Sequence, residues 1–397
     1  MKILIITPTI FVENSPFNHL FKDILEEMIL ENNFVHRFVA VESYDDSSYK
    51  MEIKDKNIEY SLFKRKKCDH LNIFSRYLND MITHFVQSIH ILKLKNIDVL
   101  FEDVSYSSFF SVYFSKIKKI KIVSMVQDVW PDNAVQSNLI KNNSILYKLF
   151  EFPQKYVYRN SNKIICISDD IKKNLISKGV DEKKIEVIYN WNYTDNTVDI
   201  NWEDNKFVNK FNIEKNFFYV TYAGNIGKMQ NVEIIVESAK ILRNEKNIKF
   251  VIIGEGSNLN EVKEMSSGLD NVIFFPFQPS DVAKDIYSFT DVNVIPLVNG
   301  GIKTALPSKT GVILSCGKPT IYTFGNDALF SKKIQEHNAG YVVEPENAQE
   351  LADKVIDIYL NRKILKNDIY SFYKKYFLKS KNVKKYIQTI KETVENY

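Results

Sequence analysis

Three short segments carry residue types whose spacing suits an anionic or hydroxylic ligand. The first is Ala223-Gly-Asn-Ile-Gly-Lys228, set between the apolar run Phe217–Tyr222 and a helical pattern opening near Asn231. Gly224 and Gly227 let the backbone turn sharply and approach a ligand. A helix N-terminus behind them offers free N–H groups to an anion, and Lys228 adds a point charge against a diphosphate. An ordinary strand-to-helix turn fits the same residues. The second segment is Leu306-Pro-Ser-Lys-Thr310. Pro307 and Ser308 read as a helix start with Ser308 at the N-cap. With Lys303 and Lys309 around it, this is a second phosphate cradle, the alternative being a loop with solvated lysines. Two cradles at strand ends in one half favour phosphate binding. The third segment is Val126-Gln-Asp-Val-Trp-Pro-Asp132. At a strand end Asp128 would orient or deprotonate a hydroxyl and Trp130 would stack on a sugar face. Alternatively Asp128 caps the next helix and Trp130 fills core, and spacing alone favours this second reading.

Other motifs point less far. Gly254-Glu-Gly256 is a tight turn given no independent weight, and without a full GxGxxG, nicotinamide or flavin binding has little support. Lys64-Arg-Lys-Lys67 precedes an amphipathic stretch, Ile73–Leu94, with Arg76, Lys93 and Lys95 near its ends. Such a cluster suits an anionic membrane surface at about 1 kcal/mol per basic residue, or else is a solvated loop before a core-facing helix. The six histidines are scattered with no Ser or Cys and carboxylate at triad spacing. Cys68, Cys166 and Cys316 are far apart, which indicates neither zinc nor a disulfide framework and fits reduced thiols in the cytosol.

The elements that position these segments follow from apolar patterning. The chain has 397 residues, 45% hydrophobic and 26% charged, which fits two folded domains and excludes a disordered or collagen-like chain. A net charge of +4 argues against a dedicated nucleic-acid binder. The apolar start, Met1–Phe11, is short and lacks a cleavage signature, and no run is long enough to span a membrane. β-Branched runs at 2–7, 35–41, 99–101, 120–126, 163–167 and 185–188 alternate with helical patterns. After a polar lapse at 194–215, strands are expected at 217–222, 248–253, 272–275, 292–295, 320–323 and 341–343, with helices beginning near Asn231, Asn258, Ser280, Ser308 and Ala328. This alternation predicts an α/β chain with two doubly wound parallel-sheet domains facing across a cleft. The boundaries read as 1–195, 196–380, and a closing helix at 381–397 that packs back on the first domain.

Taken together, these pieces resemble the GT-B glycosyltransferases, family 4 of the retaining enzymes, over essentially the whole chain. The matching segments are KILIITPT, VQDVWPD, IICISDDIKKNLISKGVDEKKIEVIYNW, YAGNIGKMQNVEIIVESAKIL, FVIIGEGSNLNEVKE, DVNVIPL and ALPSKTGVILSCGKPTI. The VQDxWP and LPSKT forms look most like bacterial O-antigen and capsule transferases, including those that use N-acetylated deoxyhexosamines such as L-fucosamine. The resemblance implies two Rossmann-like domains, with an acceptor domain first and a UDP-sugar donor domain second. It implies no cofactor, the UDP-sugar being a co-substrate, and no metal. Gly224, Asn225 and Lys228 would face the donor diphosphate, with Leu306, Ser308, Lys309 and Thr310 opposite. The backbone at Phe277 and Gln278 would meet the base. Asn18, His19, Asp128 and Trp130 would hold the acceptor, a polyprenyl-diphosphate-linked or other glycan.

Two departures stand out. Gln127 replaces the histidine of a common His-Asp pair, and Thr304 and Val312 stand where the family commonly has two glutamates, which implies a changed donor contact. The implied chemistry transfers a sugar to a hydroxyl with retention. Lys228, Lys309 and two helix starts stabilise the departing diphosphate, and Asp128 positions the nucleophile. The implied location is cytoplasmic, peripheral on the inner membrane face through Lys64–Lys67. The rivals are a nucleotide-sugar epimerase on the same fold and an inactive glycan-binding scaffold.

Overall fold

The computed structural model describes residues 1–7, 16–41, 53–66, 73–192, 195–361 and 365–395, with the backbone only of 7, 16–18, 73, 74 and 76. By contact the chain divides into two units. The first comprises Met1–Val135, Ile140–Tyr189 and Ser380–Tyr397; the second comprises Gln136–Leu139 and Asn190–Lys379.

The first unit is a seven-stranded sheet of β1 (Lys2–Thr7), β2 (Phe34–Val41), β3 (Ile58–Lys64), β4 (Val99–Asp103), β5 (Lys121–Val126), β6 (Lys163–Cys166) and β7 (Ile185–Val187). The order is β3-β2-β1-β4-β5-β6-β7 and every pairing is parallel. Helices cover both faces, so the strands must be apolar on both sides. The strand Ile3–Ile6, with at most 1% exposure per residue, is the clearest case. β3 escapes the sequence pattern because it is an edge strand with mostly half-buried positions. The helix Lys379–Glu395 packs into this unit. Its Tyr386 is fully buried edge-on against Phe101, with centroids 6.1 Å apart. Asn382 Nδ2 donates to the Tyr189 carbonyl at 2.9 Å.

The second unit has six parallel strands: β8 (Phe218–Ala223), β9 (Ile248–Ile253), β10 (Val272–Phe275), β11 (Val292–Pro296), β12 (Thr320–Thr323) and β13 (Tyr341–Val342). Their order is β10-β9-β8-β11-β12-β13. The direction of winding reverses between β8 and β11, and ligand crevices of doubly wound sheets open at such switch points. β8 and β9 pair from Phe218↔Ile248 to Ala223↔Ile253. The glycine turns that follow therefore leave the sheet side by side.

Candidate functional site

In the second unit, the turn after β8 is clamped onto the turn after β9. The Gly224 amide donates to the Ile253 carbonyl (2.9 Å), Ile226 to Glu255 (2.7 Å) and Asn258 to Ile226 (2.9 Å). Gly254 has φ +142°, and a Cβ there would lie 1.9 Å from the Gly224 carbonyl oxygen. No side chain fits at Gly254, so the Gly254-Glu-Gly256 turn is the bed on which the Gly224 turn rests.

The turn carrying Lys309 reaches the same place. Lys309 Nζ donates to the Ala223 carbonyl at 2.9 Å and lies 3.8 Å from the centroid of the Tyr222 ring. A Cβ on Gly224, where φ is +149°, would come within 2.6 Å of that Nζ. Tyr222 donates to the Asn225 carbonyl, and Tyr287 donates to Ala223 O at 3.2 Å. Burial of the ammonium pushes its pKa down to about 7. The two segments singled out by glycine and lysine spacing are therefore in direct contact at the switch point.

Several expectations need correction here. Lys309 turns back onto Ala223, which argues against the alternative of a solvated loop lysine. Ser308 is exposed and does not cap: the next helix is Thr310–Ser315, six residues long with Lys309 at its N-cap and no side-chain cap bond. So short a helix carries less dipole than the sequence implied. The Thr310 hydroxyl is buried and donates to Pro307 O at 2.7 Å, and Leu306 is buried as well. Thr304 donates to Gly301 O at 2.9 Å, so its hydroxyl is already engaged, and Val312 is half-buried. Lys303 lies 3.8 Å from Asp327. Asn225 and Lys228 are exposed. Gln278 is buried in its own loop, donating to Pro276 O (2.9 Å) and Phe277 O (3.1 Å) and accepting from Lys210 (2.9 Å). That leaves the Phe277 ring 62% exposed beyond β10.

In the first unit, Asp128 follows β5 and reaches solvent, yet its crowded surroundings raise its pKa to about 6. It does not start the following helix, which begins at Asp132. Asp132 itself is held by Lys178 (2.8 Å), Tyr147 (2.7 Å) and Asn174 (2.9 Å). Trp130 is half-buried, with its ring edge-on to Phe150 at 5.5 Å and its Nε1 buried. Sequence reasoning missed Asp103. It ends β4, next to β5, with a buried carboxylate oxygen that has no hydrogen-bond partner, and burial plus the Asp128 charge push its pKa up. The signal for it was the acidic pair Glu102-Asp103 just past the apolar run Val99–Phe101.

His19 lies 3.2 Å from Asp23 one turn along its own helix. The Asn18 side chain lies outside the described residues, as do Cys68 and Lys67. Arg65 points inward to Asp80 at 2.5 Å, while Lys64 and Lys66 are exposed. Cys166 and Cys316 are buried free thiols. Among the described residues no group of His, Cys, Asp or Glu is arranged to hold a metal ion, and no helix is long and apolar enough to cross a membrane.

Two parallel Rossmann-like units, each closed by helices on both faces, define the GT-B class. Solved structures share this fold: HepE of Anabaena, solved in complex with UDP and glucose, superposes with a TM-score of 0.72 at 15% identity over 99% of this chain and 100% of that one. Residues 203–376 match the model of "Glycosyl transferases group 1", and residues 58–195 match "Glycosyltransferase Family 4". The two matches lie on separate stretches of the chain, family 4 before group 1. WbjE of Pseudomonas aeruginosa, named as a glycosyltransferase, is 25% identical over 60% of each chain. WcaI of Escherichia coli, named for colanic acid biosynthesis, is 29% identical over 41% of each. The chain aligns with roughly half the length of these curated relatives.

Proposed function

We propose that this chain is a retaining glycosyltransferase of bacterial surface-polysaccharide assembly. It moves a sugar from a UDP-sugar to a hydroxyl of a lipid-linked glycan. The sugar is an N-acetylated hexosamine or deoxyhexosamine, as in L-fucosamine-type transfer. One observation carries the reading: Lys309 bridges the Leu306–Thr310 turn to the glycine turn after β8, at the switch point of the second sheet. Asn225 and Lys228, both exposed, lie on the same glycine turn, a composition suited to a diphosphate.

The chemistry follows from charge. As the glycosidic bond to the diphosphate breaks, negative charge grows on the leaving oxygens. Lys228 is exposed and ready to meet it. Lys309, kept near neutrality by burial, regains its full charge when a diphosphate arrives beside it. In the first unit Asp128, with its raised pKa, orients the acceptor hydroxyl or takes its proton. No metal enters this scheme, and the proposed site of action is the cytoplasmic face of the membrane, where lipid-diphosphate acceptors are met.

Relatives named for glycosyl transfer and colanic acid biosynthesis, and the fold shared with a UDP complex, support the reading. Calorimetry with UDP, UDP-sugars and GDP-sugars tests it, followed by mass spectrometry of products on lipid-diphosphate acceptors. Binding of UDP and release of UDP on transfer are expected. A chain that binds no nucleotide would instead be a glycan-binding scaffold.

A further inference from the structure

In the first unit, two neighbouring helices are turned inside out, and a third presents apolar side chains beside them. In the helix Ile73–Ile89, Leu78, Ile82, Phe85 and Ile89 recur at steps of four, three and four, which places them on one stripe. That stripe faces outward: Ile82 is 55% exposed and Leu78 51%. The opposite stripe is polar and buried: Thr83, His84, Gln87 and Ser88 are each at most 3% exposed. His84 Nδ1 lies 2.6 Å from the Ser107 hydroxyl. The helix Ser108–Ile117 repeats the inversion. Ser108, Ser111 and Ser115 are buried, Ser111 donating to the buried Glu102, while Tyr113 and Ile117 are exposed. In the helix Ile145–Asn160, Ile145, Leu149 and Phe152 face solvent. Aromatic contacts join the three outer faces. Phe85 meets Phe110 at 5.2 Å, Phe110 meets Phe109 at 5.7 Å, and Phe109 meets Tyr156 at 4.7 Å.

An apolar face of this extent is costly in water, and single soluble chains seldom leave one uncovered. Its charge identifies the occupant. Exposed Lys93, Lys116, Lys148 and Lys155 lie on or directly after these helices. Their two carboxylates, Asp80 and Glu151, are both held in ion pairs, with Arg65 and with Lys155 and Lys178. Apolar and aromatic side chains among lysines, with no unpaired acid, match the headgroup zone of an anionic bilayer.

We infer that the outer faces of Ile73–Ile89, Ser108–Ile117 and Ile145–Asn160 form a docking surface for an anionic membrane. This extends the lipid-linked-acceptor reading, on which it rests for its purpose but not for its geometry. It also moves the membrane contact from Lys64–Lys67 to the helices beyond.

The test is flotation of the full chain with phosphatidylglycerol or phosphatidylcholine vesicles. The wild-type protein floats with the anionic vesicles and not with the zwitterionic ones. Combined Leu78→Gln, Ile82→Gln, Ile117→Gln and Leu149→Gln lowers the bound fraction at least about tenfold, with an unchanged thermal melt because each of these residues is more than half exposed. Should that variant misfold, hydrogen exchange on the wild type decides: the 73–89 and 108–117 amides slow on anionic vesicles. No flotation of the wild type, or equal flotation of the folded variant, overturns the inference. So does unchanged exchange, or a wild-type dimer in light scattering that the four substitutions abolish, since a second copy would then own the face. UDP calorimetry on the same samples reports separately on the transferase reading, so either can fail alone.

Discussion

Lys309 is where the residue-scale chemistry concentrates, because its ammonium is desolvated and hydrogen-bonded to a carbonyl. A diphosphate needs the charged form, so UDP affinity should fall as pH rises through about 7. Calorimetry across pH 6–9 checks this; Lys309→Met should remove the pH dependence as well as weaken binding. Lys309→Ala should cost about 2–4 kcal/mol of transition-state stabilisation, and unchanged turnover would remove the residue from the site. The same group affects folding with a definite sign. Its folded pKa lies below its unfolded value, so between about pH 7 and the ordinary lysine range the unfolded chain binds more protons and stability rises with pH. That rise should vanish in Lys309→Met. Asp128 has the opposite displacement, its pKa being raised to about 6. Transfer that needs its carboxylate should climb with pH through about 6. Asp128→Asn should reduce transfer far more than UDP binding, and equal losses would reassign the residue.

Among the elements, the paired turns after β8 and β9 matter most, because one carbonyl of the first occupies the space where a side chain of the second would go. Gly254→Ala should destabilise the second unit by about 2–3 kcal/mol and weaken UDP binding through displacement of Gly224. Denaturant melts alongside UDP titration check both; a stable variant with normal affinity would separate the two turns. At this scale the sequence was legible where burial was two-sided. The runs that became β1 and β9 are rich in β-branched residues and those of β5 and β8 are mostly apolar, and the glycine turn follows β8 as read from the sequence, whereas LPSKT lies well past β11. It was less legible where pattern and environment part company. β3 is half-exposed, so its apolar signal is diluted. Ser308 looked like a cap because capping is read from type alone, but the helix begins after Lys309 and is short. Ile73–Ile89 has a helical apolar stripe, yet periodicity gives the stripe and not the side it faces. Asp103 was hidden because an acidic pair after three apolar residues has no motif, and Gly254 because its function is visible only against Gly224.

For the whole molecule, the two units are not consecutive lengths of chain. Ser380–Tyr397 belongs with the first unit although the second intervenes. Removing residues after Lys379 takes away the fully buried Tyr386 and Ile390 and the Asn382 bond to Tyr189. The expectation is loss of cooperative melting in the first unit with UDP affinity in the second retained, read by calorimetric unfolding and titration; an intact first-unit transition would show the closing helix to be dispensable. The same threading bears on biogenesis. While the ribosome is still translating, the first unit has its sheet but not its final helix, and the surface that Tyr386 will cover stays bare. The second unit can complete itself earlier, so the half translated first is the last to be finished. Substitutions at Tyr386 or Ile390 therefore act on the first unit, and they should unsettle its fold while leaving the second intact.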